Sequence, residues 1–295
     1  MGPSVACLPD NDQTSLMSTT VLGLVRASHP EPAAAVTLVA GLLAVGVGHR
    51  PGGVAAVVLA VLASQLAVGW ANDVLDADRD AAVGRTDKPI PAGAVARRTV
   101  AVGAVVAALA TPVLGMVTNP MAALWVTVGL ISALLYDWPL KSSPVSVLPY
   151  AVSFGSLPGF VVLALPGAPA PPVWLLAAGA CLGAGAHFAN VLPDLADDAR
   201  TGVRGLPHRL GAAGSRAAAA VLLLAATGTL VFGPPGPPSA VGLAAVLAAV
   251  VVPPVSWYGG RAATRAGRRP VAAFRAVMLV ALIDVVLLVT SGRVV

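Results

Sequence analysis

Residues 53–93 read GVAAVVLAVLASQLAVGWANDVLDADRDAAVGRTDKPIPAG, and the class of the protein can be inferred from them. Residues 53–72 carry no charge and are long enough, as a helix, to cross a bilayer core about 30 Å thick. Five aspartates follow between residues 73 and 87. This order predicts a membrane span with a polar site at one end.

The composition of the whole chain is that of a membrane protein. Of its 295 residues, 57% are hydrophobic and 11% are charged, and the mean hydropathy is +0.85. Soluble domains carry about 25% charged residues, so this chain has too few polar side chains to cover a globular surface. A soluble enzyme, a disordered chain and a disulfide-stapled secreted domain are therefore excluded. The net charge of +5 does not indicate nucleic acid as a partner, because no basic patch is interleaved with aromatic residues.

Apolar stretches of similar length recur along the chain and predict an all-α fold with nine transmembrane helices. They cover approximately residues 30–48, 53–72, 98–117, 119–137, 145–165, 171–190, 212–232, 239–258 and 271–290. Clusters of Pro and Gly, such as residues 233–238, separate several of them, and such clusters end helices. Residues 1–25 are expected to form a disordered N-terminal tail, and residues 26–295 one transmembrane domain.

The basic residues predict the orientation of this domain. With nine spans, 16 of the 18 Lys and Arg residues fall on the side that holds Arg26, and only Arg50 and Arg293 fall on the other. Basic residues concentrate in the cytoplasmic loops of membrane proteins. The sequence therefore predicts a multi-pass protein of the cell membrane with a cytoplasmic N-terminus.

Eight of the 13 acidic residues lie in two short segments, at the cytoplasmic ends of the second and sixth predicted spans. The first segment holds Asp73, Asp76, Asp78, Asp80 and Asp87, and the second holds Asp194, Asp197 and Asp198. Asp73, Asp76 and Asp80 share one face of a helix by their spacing, and like charges so arranged destabilise it. Desolvation near the membrane core adds to that cost, so something cationic is expected to neutralise them.

The two acidic segments superimpose without gaps at an offset of 118 residues. Asn72, Asp76, Asp80 and Gly84 correspond to Asn190, Asp194, Asp198 and Gly202. This match suggests an internal repeat, in which two helix pairs present similar carboxylate ladders to one cavity.

Magnesium is the cation that these side chains favour. It typically binds one or two carboxylates together with substrate phosphates and water, and the sequence has no His/Cys set that favours zinc. The basic residues just beyond the ladders are candidates to hold the remaining oxygens of a diphosphate, namely Arg85, Lys88, Arg200 and Arg204. The alternative is a juxtamembrane loop whose acids only pair with neighbouring arginines.

Four features, taken in order, resemble the UbiA superfamily of intramembrane prenyltransferases. They are Asn72-Asp73 with Asp76 and Asp80, then Lys88-Pro89-Ile90-Pro91-Ala92-Gly93, then Tyr136-Asp137-Trp138-Pro139-Leu140-Lys141, then Asp194 with Asp198. The resemblance covers roughly residues 26–290. It implies nine helices, a lateral opening to membrane lipids and a polar pocket on the cytoplasmic side.

The resemblance also implies the chemistry. Two Mg²⁺ ions would be held by Asp73, Asp76, Asp80, Asp194 and Asp198, and would bind an isoprenyl diphosphate whose tail lies among the helices. Departure of diphosphate leaves an allylic cation, which an aromatic or lipid-soluble acceptor attacks. The expected substrate-binding residues are Asn72, Arg85, Lys88, Tyr136, Lys141, Asn190 and Arg204. The run GRTDKPIPAG departs from the arginine-rich hydroxybenzoate branch, so that acceptor is not carried over.

Two other functions stay open from the sequence. One is a membrane terpene cyclase of the same superfamily, which ionises the diphosphate without an acceptor. The other is a transporter, in which acidic ladders at repeat positions form an ion path. Against the transporter, the acids lie at the ends of the spans and not at the midplane. His29, His187 and Asp284 are further candidates to face the pocket, each with a structural role as the alternative.

Overall fold

A computed structural model of the chain describes residues 10–265, 275–277, 279–280, 282–284 and 286. In this part of the chain the regular structure is entirely helical. The helices are α1 (Asp10–Ala27), α2 (Pro30–Gly46), α3 (Pro51–Ala82), α4 (Arg97–Met116), α5 (Pro120–Asp137), α6 (Val147–Leu163), α7 (Val173–Val191), α8 (Leu195–Arg200), α9 (Leu206–Phe232) and α10 (Ala240–Arg265). A short 3₁₀ helix, Leu140–Ser142, joins α5 to α6.

Proline and asparagine mark where several helices begin. Pro30, Pro51 and Pro120 are the first residues of α2, α3 and α5, the position at which proline fits a helix because no backbone donor is lost. Asn119 caps α5 by accepting the N–H of Ala122 at 2.9 Å. Its amide nitrogen also donates to the carbonyl oxygen of Leu163 at 2.7 Å and so fixes the start of α5 against the end of α6.

Six of the described helices are long and apolar enough to cross a membrane. They are α3, α4, α5, α7, α9 and the first part of α10. Residues Thr19–Ala27 and α2 pass the same test together, although a bend of 65° separates them, and α6 is a shorter apolar helix. The all-helical membrane fold is thus confirmed in outline. The count of nine spans stays a prediction, since most of residues 271–290 lies outside the described residues.

The helices pack mainly against their neighbours in the chain. Helix α3 packs along α4, and α6 lies between α5 and α7, which in turn contacts α9. A buried apolar core joins α2, α3, α5, α6 and α7, with Phe160 fully buried at its centre. Many outward-facing residues are large and apolar, for example Val106 and Leu109 of α4, as expected for surfaces that contact lipid.

The first described helix, α1, begins at Asp10 and ends at Ala27. It covers residues 10–25 of the segment for which a disordered tail was predicted. After α1 the chain turns at His29, whose φ of 52° is left-handed.

Candidate active site

One large cavity, of about 650 Å³, receives both acidic segments. It lies between α2, α3, α5, α6 and α7, and it is also lined by the turn before α2 and the loops that follow α3, α5 and α7. Ten of the twelve predicted site residues line it: Asn72, Asp76, Asp80, Arg85, Lys88, Tyr136, Lys141, Asn190, Asp194 and Asp198. Asp73 and Arg204 are not in its lining, and Arg204 is exposed.

Asp76 is held from two sides by basic residues of the chain. It is buried, one turn beyond Asn72 on the continuous helix α3. One carboxylate oxygen accepts a hydrogen bond from Arg79, and the other accepts from Nζ of Lys141 at 2.5 Å. Lys141 reaches it from the 3₁₀ helix after α5, so two elements far apart in sequence meet at this carboxylate.

Asp73 is not among the residues that line the cavity, and it joins two loops. Its side chain is 2% exposed, and Oδ1 lies 2.5 Å from Nζ of Lys88 and 3.0 Å from Nε2 of His29. Nζ of Lys88 is also 3.1 Å from the same His29 nitrogen. Both Lys88 and His29 line the cavity, so Asp73 contacts the site only through these two partners.

Arg85 connects the two acidic segments. Its Nη1 lies 3.9 Å from Oδ1 of Asp80 and 3.6 Å from Oδ1 of Asp194. The rest of the guanidinium forms two 3.0 Å bonds to the Asp87 carboxylate. One carboxylate from each segment therefore faces the same cationic group.

The second acidic segment does not lie on one helix. Helix α7 ends at Val191, and α8 begins at Leu195. Pro193 lies in the break, and Asp194 is the residue before α8. Asp198, on α8, lies 3.4 Å from Nε2 of His208 at the start of α9.

Both segments nevertheless end in the same way. Gly84 has a φ of 70° and Gly202 a φ of 83°, left-handed values that glycine adopts without steric cost. The residue after each glycine donates its backbone N–H to the carbonyl oxygen of Asp80 or Asp198, in both cases at 2.9 Å. This pattern closes a helix end and turns the chain sharply.

One wall of the cavity carries aromatic rings. The rings of Tyr136 and Tyr150 meet edge to face at 4.8 Å, and both pack against the buried His187. The two asparagines of the repeat reach this wall. Nδ2 of Asn72 donates to Oδ1 of Asp137 at 3.0 Å, and Nδ2 of Asn190 donates to the Tyr150 hydroxyl at 3.2 Å.

Burial shifts the pKa values of two groups that lie outside the long apolar helices. Burial, and then the charge of Arg79, lower the pKa of Lys141 from its ordinary value. Burial raises the pKa of Asp198 above its ordinary value, although Lys141 and His208 oppose the shift. Both directions are expected where charged groups are drawn out of water.

An apolar chamber of about 230 Å³ adjoins the polar cavity. Val36 and Phe154 line both spaces. The chamber is otherwise walled by apolar residues of α2, α6, α7 and α9 and by Leu279, Leu282 and Asp284. Asp284 accepts a hydrogen bond from Thr227 at 3.0 Å. The site thus combines a charged end with an apolar end, and Phe154 stands between them.

The donor set of the cavity suits a hard cation such as Mg²⁺. All candidate ligands are carboxylate or amide oxygens, which Mg²⁺ prefers. Asp80 and Asp194 both lie near Arg85, so a carboxylate from each segment can face one cation. Among the described residues, no three acidic, His or Cys side chains surround a common point. In this arrangement the chain's own Arg and Lys residues neutralise the carboxylates instead.

Three polar residues that contact the site were not among the residues predicted from the sequence. Asp137 was part of the quoted Tyr136–Lys141 motif, Arg79 follows Asp76 by three residues, and His208 lies at the start of α9. Each contacts a predicted site residue. Of these contacts only that of Arg79 is local enough to be found from spacing.

Comparison with known proteins assigns the family. A model of the UbiA prenyltransferase family matches residues 33–286. The chain is also 37% identical, over 124 residues, to the protoheme IX farnesyltransferase of Anaeromyxobacter dehalogenans strain 2CP-C. That match covers 39% of this chain and 40% of the length of the relative.

Two solved structures share the fold. A UbiA homologue from Aeropyrum pernix K1, in its apo form, has a TM-score of 0.68 at 21% identity, covering 87% of this chain and 96% of that one. A UbiA homologue from Archaeoglobus fulgidus, bound to GPP and Mg²⁺, has a TM-score of 0.68 at 14% identity, covering 92% and 98%. At these identities the likeness establishes a common architecture.

Proposed function

The chain belongs to the UbiA prenyltransferase family, and we propose that it transfers an isoprenyl group from an allylic isoprenyl diphosphate to an aromatic or lipid-soluble acceptor. The reaction is Mg²⁺-dependent. The carbon–oxygen bond to diphosphate breaks, diphosphate leaves with the electron pair, and the allylic cation forms a new bond to the acceptor. An aromatic acceptor then loses a proton from the carbon attacked.

The observation that carries this proposal is the shape of the site. Two acidic segments and the basic residues Arg85, Lys88 and Lys141 line one cavity, which adjoins an apolar chamber at Phe154. A diphosphate with a long apolar tail needs such a combination. The known relatives support it, since a homologue of the same fold binds GPP and Mg²⁺.

The metal ligands in this proposal are the cavity-facing acids. Asp76 and Asp80, with Asn72, belong to the first segment, and Asp194 and Asp198 to the second. When bound, Mg²⁺ would stabilise the negative charge that develops on the departing diphosphate.

The chain's own residues bind and protect the reactants. Arg85, Lys88 and Lys141 donate to diphosphate oxygens that the metal leaves free. Tyr136 and Tyr150 present aromatic rings to the reacting end, where a π face attracts positive charge. The apolar chamber keeps water from the allylic cation, which would otherwise be quenched.

Asp73 has a different part in this proposal from the one that its motif suggested. Because it is absent from the cavity lining and holds Lys88 and His29, it positions these residues and does not bind Mg²⁺. Arg204 is exposed and outside the lining, so it is not included among the diphosphate-binding residues.

The proposed location is the cell membrane, with the site on the cytoplasmic side. The excess of Lys and Arg on the side of the acidic segments supports this orientation. Cysteine labelling of an exposed position near the end of α3, such as Asp78→Cys in a Cys-free background, would report the side directly.

The test is diphosphate release by the purified protein in detergent, with Mg²⁺ and a series of allylic diphosphates from short to long. Each donor is supplied with and without a panel of aromatic and lipid acceptors, and products are identified by mass spectrometry. We expect release that requires an acceptor and yields its prenylated adduct. Acceptor-independent release with a cyclic product would favour the cyclase, and no Mg²⁺-dependent donor binding would overturn the proposal.

A further inference from the structure

A buried carboxylate in the cavity wall has no role in the proposed reaction so far. Asp137 is the last residue of α5, is 7% exposed and lines the cavity. Its Oδ1 accepts a hydrogen bond from Nδ2 of Asn72. Its Oδ2 is buried and has no hydrogen-bond partner among the described residues. A carboxylate in a pocket for an anionic substrate repels that substrate, so its presence calls for an explanation.

We infer that Asp137 is a positioning residue, which turns the Asn72 amide so that its oxygen faces the metal–diphosphate site. This inference rests on the proposed function. An ionised carboxylate can only accept hydrogen bonds, whereas a carboxamide has a donor end and an acceptor end. Asp137 therefore accepts only one orientation of Asn72, with the nitrogen toward Asp137 and the oxygen away from it.

In this inference Asp137 is ionised, so that both of its oxygens can only accept hydrogen bonds and the selection is one-sided. An asparagine at position 137 could receive either end of the Asn72 amide, because it offers both a donor and an acceptor. With the amide turned around, Asn72 would present N–H groups to a cation and repel it. The hydrogen bond of a ligand to an outer carboxylate is a common way of fixing ligand orientation at metal sites.

The second segment contains a parallel contact. Asn190, which corresponds to Asn72 at the offset of 118, donates its Nδ2 to the Tyr150 hydroxyl at 3.2 Å. In both segments, then, the amide nitrogen is bound by a group of the α5–α6 wall. The neutral hydroxyl can also donate, so it selects the amide orientation less strictly than the Asp137 carboxylate does.

The test is a double-mutant cycle read by metal binding. The dissociation constant of Mg²⁺ is measured by titration calorimetry on the purified full-length protein, with inorganic diphosphate present. We expect Asn72→Ala and Asp137→Ala each to raise it by about 10- to 100-fold. If Asp137 acts through Asn72, the double variant binds Mg²⁺ no more weakly than Asn72→Ala alone.

Two further variants serve as a conservative replacement and as a control. Asp137→Asn keeps the shape of the side chain, and we expect a smaller loss of Mg²⁺ affinity, because half of the orienting contact survives. It replaces Asp137→Ala in the cycle if the alanine variant fails to fold. Asp78→Asn, on the exposed face of α3 and bound to Arg97 at 3.1 Å, is the control and should bind Mg²⁺ as the unmodified protein does.

The outcomes separate this inference from the proposed function. Unchanged Mg²⁺ affinity in Asp137→Ala, or losses that multiply in the double variant, would overturn the positioning role alone. No Mg²⁺-dependent binding of diphosphate by the unmodified protein would overturn the proposed function and the inference with it.

Discussion

The two acidic segments have the same spacing in sequence but different structures. Asn72, Asp76 and Asp80 lie on the continuous helix α3, whereas Asn190 and Asp194 are separated by the break at Pro193. Proline lacks the N–H that a helix interior requires, and the first segment has Leu75 at the corresponding position. The same spacing of four residues therefore places the polar side chains along one helix in the first segment and across a break between two helices in the second.

The first segment also carries a buried aspartate, Asp73, that has no acidic counterpart in the second segment. At the position of Asp73 the second segment has Val191, an uncharged residue that is buried and lines the cavity. Asp73 binds Lys88 and His29, and so the first segment carries an additional ion pair that fixes two loops at the cavity. In the proposed function the repeated acids share the metal-binding role, while Asp73, which has no acidic counterpart in the second segment, positions Lys88 and His29.

The largest expected effect comes from neutralising one matched acid in each segment. We expect Asp76→Asn and Asp194→Asn each to lower Mg²⁺-dependent diphosphate release by at least about 100-fold, because each removes a charged metal ligand. Expression and membrane insertion should be unchanged. The exposed Asp78→Asn is the control. Full activity in either variant would show that its segment does not bind the metal.

Removal of Arg85 tests the connection between the segments. We expect Arg85→Ala to raise the KM for the donor by about 10- to 100-fold, since a charge-assisted contact to diphosphate is lost. Arg85→Lys should recover only part of this, because lysine has no planar fork with which to bind Asp87 while it also faces Asp80 and Asp194. The donor KM of each variant is measured by steady-state kinetics. If Arg85→Lys had the same donor KM as the unmodified protein, only the positive charge at position 85 would matter.

Asp73→Asn tests the division of roles within the first segment. We expect the donor KM to rise about 10-fold, because Lys88 loses its partner and its fixed position. The Mg²⁺ concentration for half-maximal activity should stay as in the unmodified protein, in contrast to Asp76→Asn. Both quantities come from the same release assay. A large shift in the Mg²⁺ requirement would place Asp73 among the metal ligands after all.

The smallest effect concerns the two matched helix ends. An added Cβ would meet open space at both Gly84 and Gly202, so only the left-handed backbone opposes alanine. We expect Gly84→Ala and Gly202→Ala each to lower the free energy of unfolding by about 1–2 kcal/mol, seen as a lower midpoint of thermal unfolding in detergent. Gly228→Ala, at an equally open position inside α9, should not be destabilising. Unequal losses at the two glycines would mean that the helix ends are not equivalent.

Much of the site could be predicted from the sequence because the signals are local. Apolar runs of about 20 residues predicted the membrane helices, and the spacing of acids on them predicted which carboxylates gather. Ten predicted site residues line one cavity for this reason. The extent of α1 was not predicted, because polar residues such as Asp10 and Asp12 are compatible with both a tail and a first helical turn.

The family, the helical class and the group of acids and bases at the ends of two helices follow from local features of the sequence. Which of these side chains enter the cavity, and which hold them in place, depends on how the helices pack. The contacts that do so join residues far apart in the chain, as in Asn72 with Asp137 and His29 with Asp73. Spacing fixes the angle of a residue around its own helix. The rotation of that helix against its neighbours is set by packing, and this rotation places Asp76 in the lining of the cavity and leaves Asp73 behind Lys88 and His29.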